Sequence, residues 1–441
     1  MQFVLLSGGS GKRLWPLSND VRSKQFIKIF DKADGTGRES MIQRIYDGLR
    51  NACGNGAGIT ISTSRTQVSS VRSQLGDVDM CVEPCRRDTF PAIALASAYL
   101  ADVKHVAEDE PVVVFPVDPY VDESYFEALG RLAAPLESAA SGAPQLVLMG
   151  IKPTYPSAKY GYIMPKDALY GGLFTVDSFK EKPDEVTAAK YIARGALWNG
   201  GVFAFRLGWL LDVARSELGT ARYDELLARY DELPKISFDY AVVEKTKDIQ
   251  MMMYSGTWKD LGSWNTLTEA MTEPSIGKAI MQGCERTHVV NELDIPVIAM
   301  GLEDTVVAAS PEGVLVADKH QSSFLKPLAE RIHQEIMVQE KSWGSYRVID
   351  VGAESLTVRV TLLAGHAMSY HSHERRDEAW TIIEGEGTAE IDGVSRDAGV
   401  GDTIRLPVGS RHRLTAKTRL VAIEVQTGRD IDVDDKTVWA R

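Results

Sequence analysis

A short apolar run, Phe3-Val4-Leu5-Leu6, breaks directly into Ser7-Gly8-Gly9-Ser10-Gly11 and then a basic pair, Lys12-Arg13. This stretch constrains the fold more than any other. A short run of continuous apolar residues suits a strand buried on both faces, and a glycine turn at its end brings backbone N–H groups close to whatever lies beyond. Without Cβ, such a turn adopts conformations closed to other residues, and its successive N–H groups form an anion-binding concavity. The spacing is neither G-x-x-x-x-G-K-[ST] nor G-x-G-x-x-G, because Gly9-x-Gly11 is followed by Leu14. By spacing alone, a plain tight turn accounts for it as well as a ligand loop does.

Further along, the apolar runs Ile59–Ser62, Val112–Val117 and Leu146–Ile151 alternate with helical patterns at Ser40–Arg50, Thr89–Val103 and Ser124–Ser141. Strands alternating with helices predict βαβ units and a mostly parallel sheet, whose ligands bind at the carboxyl ends of the strands. At 441 residues the chain exceeds a single core, so two or three domains are expected. A net charge of −12 argues against a nucleic-acid surface, and no apolar run approaches the length of a membrane span. The amino terminus lacks the pattern of a signal peptide, and the four cysteines, Cys53, Cys81, Cys85 and Cys284, form no C-x-x-C pair. A cytoplasmic location with free thiols is expected.

Taken with Leu14-Trp15-Pro16-Leu17-Ser18 and Lys24-Gln25-Phe26, the opening stretch resembles the G-G-x-G-x-R-L-W-P-L-S and K-Q-F signature of sugar-1-phosphate nucleotidyltransferases. Within them it is most similar to the mannose-1-phosphate guanylyltransferases. Lys12 stands where that family has Thr, and Ser23 where it has Pro. The resemblance implies Arg13 and Lys24 as catalytic cations and Gly8, Gly9, Gly11 and Lys12 as nucleotide-binding residues.

Glu83-Pro84-Cys85-Arg86-Arg87-Asp88-Thr89-Phe90-Pro91-Ala92-Ile93 resembles the family's E-P-x-x-R-N-T-A-P-A-I, with Asp88 and Phe90 as substitutions. A carboxylate at Glu83 can accept from both N1–H and the 2-amino group of guanine, and the resemblance adds Arg87 to the nucleotide site. The plainer reading is a helix start capped by Asp88 or Thr89. Asp118, ending the apolar strand at Pro116-Val117, is placed to hold Mg²⁺ on a nucleotide, although Asp before Pro is also a common turn former. The family's P-x-D-H keeps its aspartate here and loses its His to Pro119.

Lys159-Tyr160-Gly161-Tyr162-Ile163, Phe179-Lys180-Glu181-Lys182-Pro183 and Trp198-Asn199-Gly200-Gly201-Val202-Phe203 resemble family segments that close over the sugar phosphate. They imply Gly161, Glu181, Lys182 and Asn199 as substrate-binding residues; outside the resemblance, Glu181-Lys182 reads as a solvated charge pair. Trp258-Lys259-Asp260-Leu261-Gly262-Ser263-Trp264 matches W-x-D-x-G-S-W and makes Asp260 a second Mg²⁺ ligand. The implied substrates are a nucleoside triphosphate and a sugar 1-phosphate, and the implied assembly is a homo-oligomer.

From about Gly283 to Ser323 short Val-rich pieces alternate with polar turns, where family members carry a short left-handed β-helix. Pro327–Lys341 reads as a helix-like linker. Beyond it, Gly365-x5-His371-x-His373-x4-Glu378-x6-Gly385 and Gly401-x5-Pro407-x-Gly409-x2-His412 fit the two cupin motifs except for a final Asn. On a strand His371 and His373 share a side, and Glu378 and His412 reach it from neighbouring strands. Three imidazoles and a carboxylate suit Zn²⁺, Mn²⁺, Fe²⁺ or Ni²⁺.

A cupin after such a transferase resembles the bifunctional type II phosphomannose isomerases. Lys341-Ser342-Trp343-Gly344-Ser345-Tyr346 and Glu424-Val425-Gln426-Thr427-Gly428 are similar to their R-P-W-G-x-Y and E-V-Q-x-G. Their Q-M-H-H-H-R-x-E-H-W is altered: His371 replaces the Gln, and Ala379 the His that follows the Glu.

The expected fold is α/β: a Rossmann-like nucleotidyltransferase domain with a mixed, mostly parallel sheet (1–275), a short β-helix segment (276–326), a linker (327–342) and an all-β cupin barrel (343–441). The expected activity is GMP transfer from GTP to mannose 1-phosphate, with a metal-binding cupin that is either an isomerase or a regulatory module. Two alternatives stand beside it, a transferase for another nucleotide such as CTP or another phosphorylated substrate, and a nucleotide-sugar sensor.

Overall fold

The structure, a computed structural model, describes residues 1–9, 12–19, 21–32, 34–54, 56–137, 143–332, 336–429, 431 and 435–439. The chain forms two compact units. One comprises Met1–Ser10, Lys24–Val68 and Asp77–Gly262, and the other Gly11–Ser23, Ser69–Gly76 and Ser263–Arg441.

The first unit is built on nine strands: β1 (Gln2–Leu6), β2 (Gly58–Ser64), β3 (Met80–Glu83), β4 (Pro111–Pro116), β5 (Leu146–Ile151), β6 (Gly161–Ala168), β7 (Leu173–Lys180), β8 (Leu197–Arg206) and β9 (Ile249–Tyr254). Their order is β3-β2-β1-β4-β8-β5-β9-β7-β6. The sheet is mixed. β3, β2, β1 and β4 run parallel, as do β5 and β9, while β8 is antiparallel to its neighbours. The first strand is fully buried at Phe3, Val4 and Leu5, which explains its unbroken apolar pattern.

Helices cover the sheet. α1 (Met41–Cys53) opens on a capping box between Ser40 and Gln43. α2 (Thr89–Asp102) is buried along most of its length, and its Phe90, Ile93 and Leu100 share a core with Val4, Val112, Leu148 and Phe205. Asp88 caps it by accepting from the Thr89 N–H at 2.8 Å, in a backbone conformation of φ 69° that Asn, Asp and Gly tolerate best. The capping read from the sequence is therefore present. α3 (Glu123–Leu132) and a short helix at Ala134–Glu137 occupy the segment read as one helix through Ser141, whose residues 138–141 lie outside the described residues.

In the second unit, short parallel ladders pair Ser275–Ile276 with His288–Asn291, that strand with Thr305–Ser310, and Ala279–Gln282 with Val297–Met300. The segment Gly11–Ser23 is fastened to this part of the unit. The Trp15 carbonyl accepts from Trp264 Nε1 at 3.0 Å, the Pro16 carbonyl accepts from Ser310 Oγ at 2.7 Å, and Arg22 makes a bidentate pair with Glu292 at 2.7 and 2.8 Å. Glu312 Oε1 accepts from Asn19 Nδ2 at 3.0 Å and from the N–H groups of Met337 and Val338 at 3.0 and 3.3 Å.

The carboxy-terminal barrel is two antiparallel sheets of six and five strands. Between them pack Val360, Trp380, Ile382, Leu406, Leu414 and Leu420. The first strand of the larger sheet is Val338–Lys341, paired with Gly344–Val351. The segment read as a helix-like linker thus holds a short helix at Lys326–Ala329 and then a barrel strand. No helix among the described residues is long and apolar enough to cross a membrane.

Asp122 caps α3 and also accepts from the Thr257 N–H at 2.7 Å and Tyr254 Oη at 3.1 Å, tying the turn before Trp258 to the helix. Burial opposes its ionisation, but the hydrogen bonds from Ser124, Thr257 and Tyr254 prevail and hold its pKa at about 2. An unfolded Asp titrates near 3.9, so this stabilisation is complete above about pH 4 and is lost as pH falls through about 2. Asp122→Ala is therefore expected to cost about 1–2 kcal/mol in urea unfolding at pH 6. The gap from wild type should narrow at pH 3, and a gap independent of pH contradicts the assignment.

Candidate functional site

The carboxyl ends of β1, β3 and β4 converge on a cavity of about 360 Å³, lined among others by Gly8, Gly9, Glu83, Arg86, Arg87 and Asp118. The strand order makes this inevitable, since Gly8 follows β1, Glu83 ends β3 and Asp118 follows β4. The glycine turn is held from behind: Gln25 Nε2 donates to the Ser7 carbonyl and Gln67 Nε2 to the Gly9 carbonyl, both at 3.1 Å. A Cβ on Gly8 would stand 3.1 Å from Glu83 Oε1, a tight approach that the glycine relieves.

Glu83 is 5 % exposed, and its Oε2 accepts from Tyr230 Oη at 2.7 Å. Burial raises its pKa, and the Tyr230 hydrogen bond works against that rise. A carboxylate has about four acceptor sites, so capacity for a ligand remains. Tyr230 lies 147 residues away in sequence, and no local pattern marked it.

Beside the cavity Lys24 Nζ sits 2.8 Å from Asp118 Oδ2 and 3.3 Å from Asp260 Oδ1. The backbone dictates this meeting. Strand Trp258–Asp260 pairs antiparallel with Pro119–Val121, and its register sets Asp260 opposite Pro119. Burial acts to lower the Lys24 pKa, but Asp118 and Asp260 outweigh it and keep it raised. Two carboxylates from segments 142 residues apart thus face one cation. Mg²⁺ favours such a pair completed by substrate phosphates.

A second cluster joins β6, β7 and β8. Glu181 is 6 % exposed; its Oε1 accepts from Lys182 Nζ at 2.6 Å, while its Oε2 is buried without a partner. That oxygen has acceptor capacity to spare. A Cβ on Gly161 would meet Glu181 and stand 2.7 Å from Phe179 Cζ, so this glycine makes room for the carboxylate. Asn199 donates to Asp239 Oδ1 at 2.6 Å and accepts from the Gly201 N–H at 3.1 Å, so part of its amide serves the protein. Asp239 was missed by the sequence reading. Burial, followed by the Glu181 charge, pushes its pKa up to about 7 against the opposing Asn199 hydrogen bond.

Lys12 and exposed Arg13 lie on a short turn, Lys12–Leu14, in the second compact unit, and Gly11 lies outside the described residues.

In the barrel His371, His373 and His412 bring ring nitrogens within 4.8 Å of one another, all three residues buried. Glu378 Oε1 lies 3.1 Å from His373 Nε2, and its Oε2 lies 3.4 Å from His412 Nε2. The pairing of strand His371–Ser372 with His412–Ala416 sets His371 opposite His412. Each imidazole directs Nδ1 to a backbone carbonyl: His371 to Ser369 at 2.7 Å, His412 to Ser410 at 3.0 Å, and His373 to Asp435. That arrangement fixes Nδ1 as the protonated nitrogen of the neutral ring and leaves the lone pair on Nε2, which in His373 faces Arg376 Nη2 at 3.2 Å. Burial, with the charge of Lys436, lowers His371 to about 2, so the ring is neutral. His412 Nε2 and Glu378 Oε2 have no aligned hydrogen-bond partner, and the donor set suits a metal ion. The cavity of about 350 Å³ over this cluster also carries Glu424, whose pKa is raised to about 7 by burial and then by Glu378.

A glycine turn and a carboxylate pair at strand ends, followed by a barrel with a buried histidine triad, are the layout of a nucleotidyl transferase carrying a cupin, and the family comparisons give that class. The nucleotidyl transferase family model matches residues 2–275, and that of the mannose-6-phosphate isomerase C-terminal region matches 328–439. The chain is 32 % identical to a mannose-1-phosphate guanylyltransferase of Escherichia coli K12, over 99 % of this chain and 97 % of that one. It is 33 % identical to ManC of Salmonella typhimurium LT2, over 98 % and 96 %. A crystal structure described as a mannose-1-phosphate geranyltransferase from Thermus thermophilus aligns with a TM-score of 0.62 at 30 % identity, covering 75 % of this chain and 98 % of that one. The chain belongs to the mannose-1-phosphate guanylyltransferase family.

The raised Asp239 pKa predicts a stability effect of definite sign. An unfolded Asp releases its proton near 3.9, while the folded group holds it to about 7, so wild-type stability falls as pH rises between those values. Asp239→Asn removes the penalty. Its stability relative to wild type is expected to rise from pH 4 to pH 7 and level off above, read by thermal unfolding of the ligand-free protein. A constant difference across that range refutes the reading.

Proposed function

We propose that the protein transfers GMP from GTP to mannose 1-phosphate, forming GDP-mannose and pyrophosphate. The observation that carries this reading is Lys24 held between Asp118 and Asp260 beside the cavity of Gly8, Gly9, Glu83 and Arg87. An oxygen of the sugar phosphate attacks the α-phosphorus of GTP, the bond to the bridging oxygen breaks, and pyrophosphate leaves with its electron pair. No protein base is required, because the attacking oxygen is already ionised.

Bringing the two phosphates together is the difficulty. A unit charge pair at 4 Å repels by about 1 kcal/mol in water and by about 4 kcal/mol at an effective dielectric of 20. Asp118 and Asp260 would hold Mg²⁺, which neutralises the triphosphate and aligns it for in-line attack. Lys24, Arg13 and Lys182 would supply positive charge to phosphate oxygens, and Glu181 would accept from sugar hydroxyls.

The barrel carries a second reading, interconversion of mannose 6-phosphate and fructose 6-phosphate. His371, His373, His412 and Glu378 would hold a transition metal, Zn²⁺, Mn²⁺, Fe²⁺ or Ni²⁺, that polarises the sugar carbonyl. Glu424, raised to about 7, has the affinity for protons that a shuttle between two sugar carbons needs.

Pyrophosphate release is the test, with four nucleoside triphosphates against several sugar phosphates. The expected pattern is turnover with GTP and mannose 1-phosphate, and turnover with CTP alone would replace the reading. Glu83→Gln exchanges an acceptor for a donor facing guanine N1–H. It should lower kcat/KM for GTP at least tenfold while affecting ITP, which lacks the 2-amino group, less. Unchanged GTP kinetics would remove Glu83 from base recognition.

A further inference from the structure

Two lysines share the barrel cavity with the histidine cluster. Lys341 ends strand Val338–Lys341, and Lys436 directly precedes strand Thr437–Val438, whose register sets Val438 opposite His371. Both line the cavity of about 350 Å³ together with His371, His373, Arg376 and Glu378.

Some cations of this barrel are neutralised in place: Arg376 by Glu378 at 2.9 Å, Arg413 by Glu390 at 2.7 Å and Lys417 by Asp397 at 2.9 Å. Among the described residues neither Lys341 nor Lys436 forms an ion pair with a carboxylate. Lys341 is half-buried, with its ammonium 5.8 Å from the centre of the Tyr346 ring. Burial, followed by the charge of Lys436, lowers its pKa to about 8. The fold therefore brings two ammonium groups to one cavity: exposed Lys436 feels the charges of Glu378 and Glu424, which line the same cavity, but no carboxylate pairs directly with either lysine, so both can turn to an entering anion. Ammonium groups bind phosphate as compact point charges, and a pair of them matches a phosphate dianion. The cavity volume falls within the range of about 300–1,000 Å³ typical of small-molecule sites.

We propose that Lys341 and Lys436 are the phosphate anchor of the barrel, holding the phosphate of a phosphorylated sugar whose carbonyl end lies toward His371, His373 and His412. This inference rests on the reading of the barrel as a sugar-phosphate site. It makes the lysines specificity-determining residues that select phosphorylated over free sugars, with no part in proton transfer.

The test uses the metal-loaded full-length protein and titration calorimetry with fructose 6-phosphate, fructose and inorganic phosphate. Wild type is compared with Lys341→Met, Lys436→Met, the double variant and Lys341→Arg. Phosphate sites elsewhere in the chain contribute equally to all five proteins, so the lysine-dependent difference is the readout. Each Met substitution is expected to weaken fructose 6-phosphate binding at least tenfold, and the double variant to lose it. Fructose binding, metal content by elemental analysis and pyrophosphate release should stay unchanged, and Lys341→Arg should remain within threefold of wild type. Unaltered fructose 6-phosphate and phosphate binding in the metal-replete double variant overturns the proposal. Lysine-dependent binding of inorganic phosphate without uptake of fructose 6-phosphate supports the anchor and overturns the sugar-phosphate reading of the barrel.

Discussion

Two carboxylates that share a small, partly buried space stay ionised together only when a cation lies between them, and the first compact unit is arranged around that constraint. Asp118 and Asp260 meet because strand Trp258–Asp260 is laid against Pro119–Val121, and Lys24 compensates them at 2.8 and 3.3 Å. Removing the lysine without supplying another cation leaves like charges opposed at a distance where the local dielectric screens them poorly. The same charge balance makes the place receptive to a divalent ion. Much of the surrounding architecture serves this meeting: β4 delivers Asp118, and Asp122 ties the turn before Trp258 to α3.

The barrel meets the opposite requirement. A metal ligand must present a bare nitrogen, and three Nδ1-to-carbonyl hydrogen bonds place the proton of a neutral imidazole on Nδ1 and leave the lone pair on Nε2. One site is prepared by a resident cation and the other by fixed tautomers. Glu312 adds a link within the second compact unit, because one oxygen accepts from Asn19 of the signature segment and from the backbone entering the barrel.

Much of this was legible in the sequence where chemistry and local pattern coincide. A glycine turn after an apolar strand, an aspartate at a strand end and His371-x-His373 can each be read within a few residues, and the structure sets Gly8, Gly9 and Asp118 on one cavity and the histidines on another. Tertiary pairing was not legible. Tyr230, which holds Glu83, and Asp239, which engages Asn199 from within a segment that resembles the family, are remote from their partners, and no local pattern gives either its role. Val338-Gln339-Glu340-Lys341 has no strand-like alternation and is a strand because Gly344–Val351 offers it a partner, so a local reading made it part of a linker. Glu424 sat inside a motif noticed for its resemblance, yet its elevated proton affinity comes from burial beside Glu378, which no linear pattern reports.

The central claim is that Asp118 and Asp260 together bind the divalent ion of the nucleotide. Electron paramagnetic resonance of Mn²⁺, titrated into the protein with GTP present, measures it directly in wild type, Asp118→Asn, Asp260→Asn and the double variant. The account predicts that each single substitution weakens Mn²⁺ binding at least tenfold, and that the double variant loses less than the product of the two because both act on one ion. Wild-type affinity in Asp260→Asn, or losses that multiply as for independent sites, would contradict it.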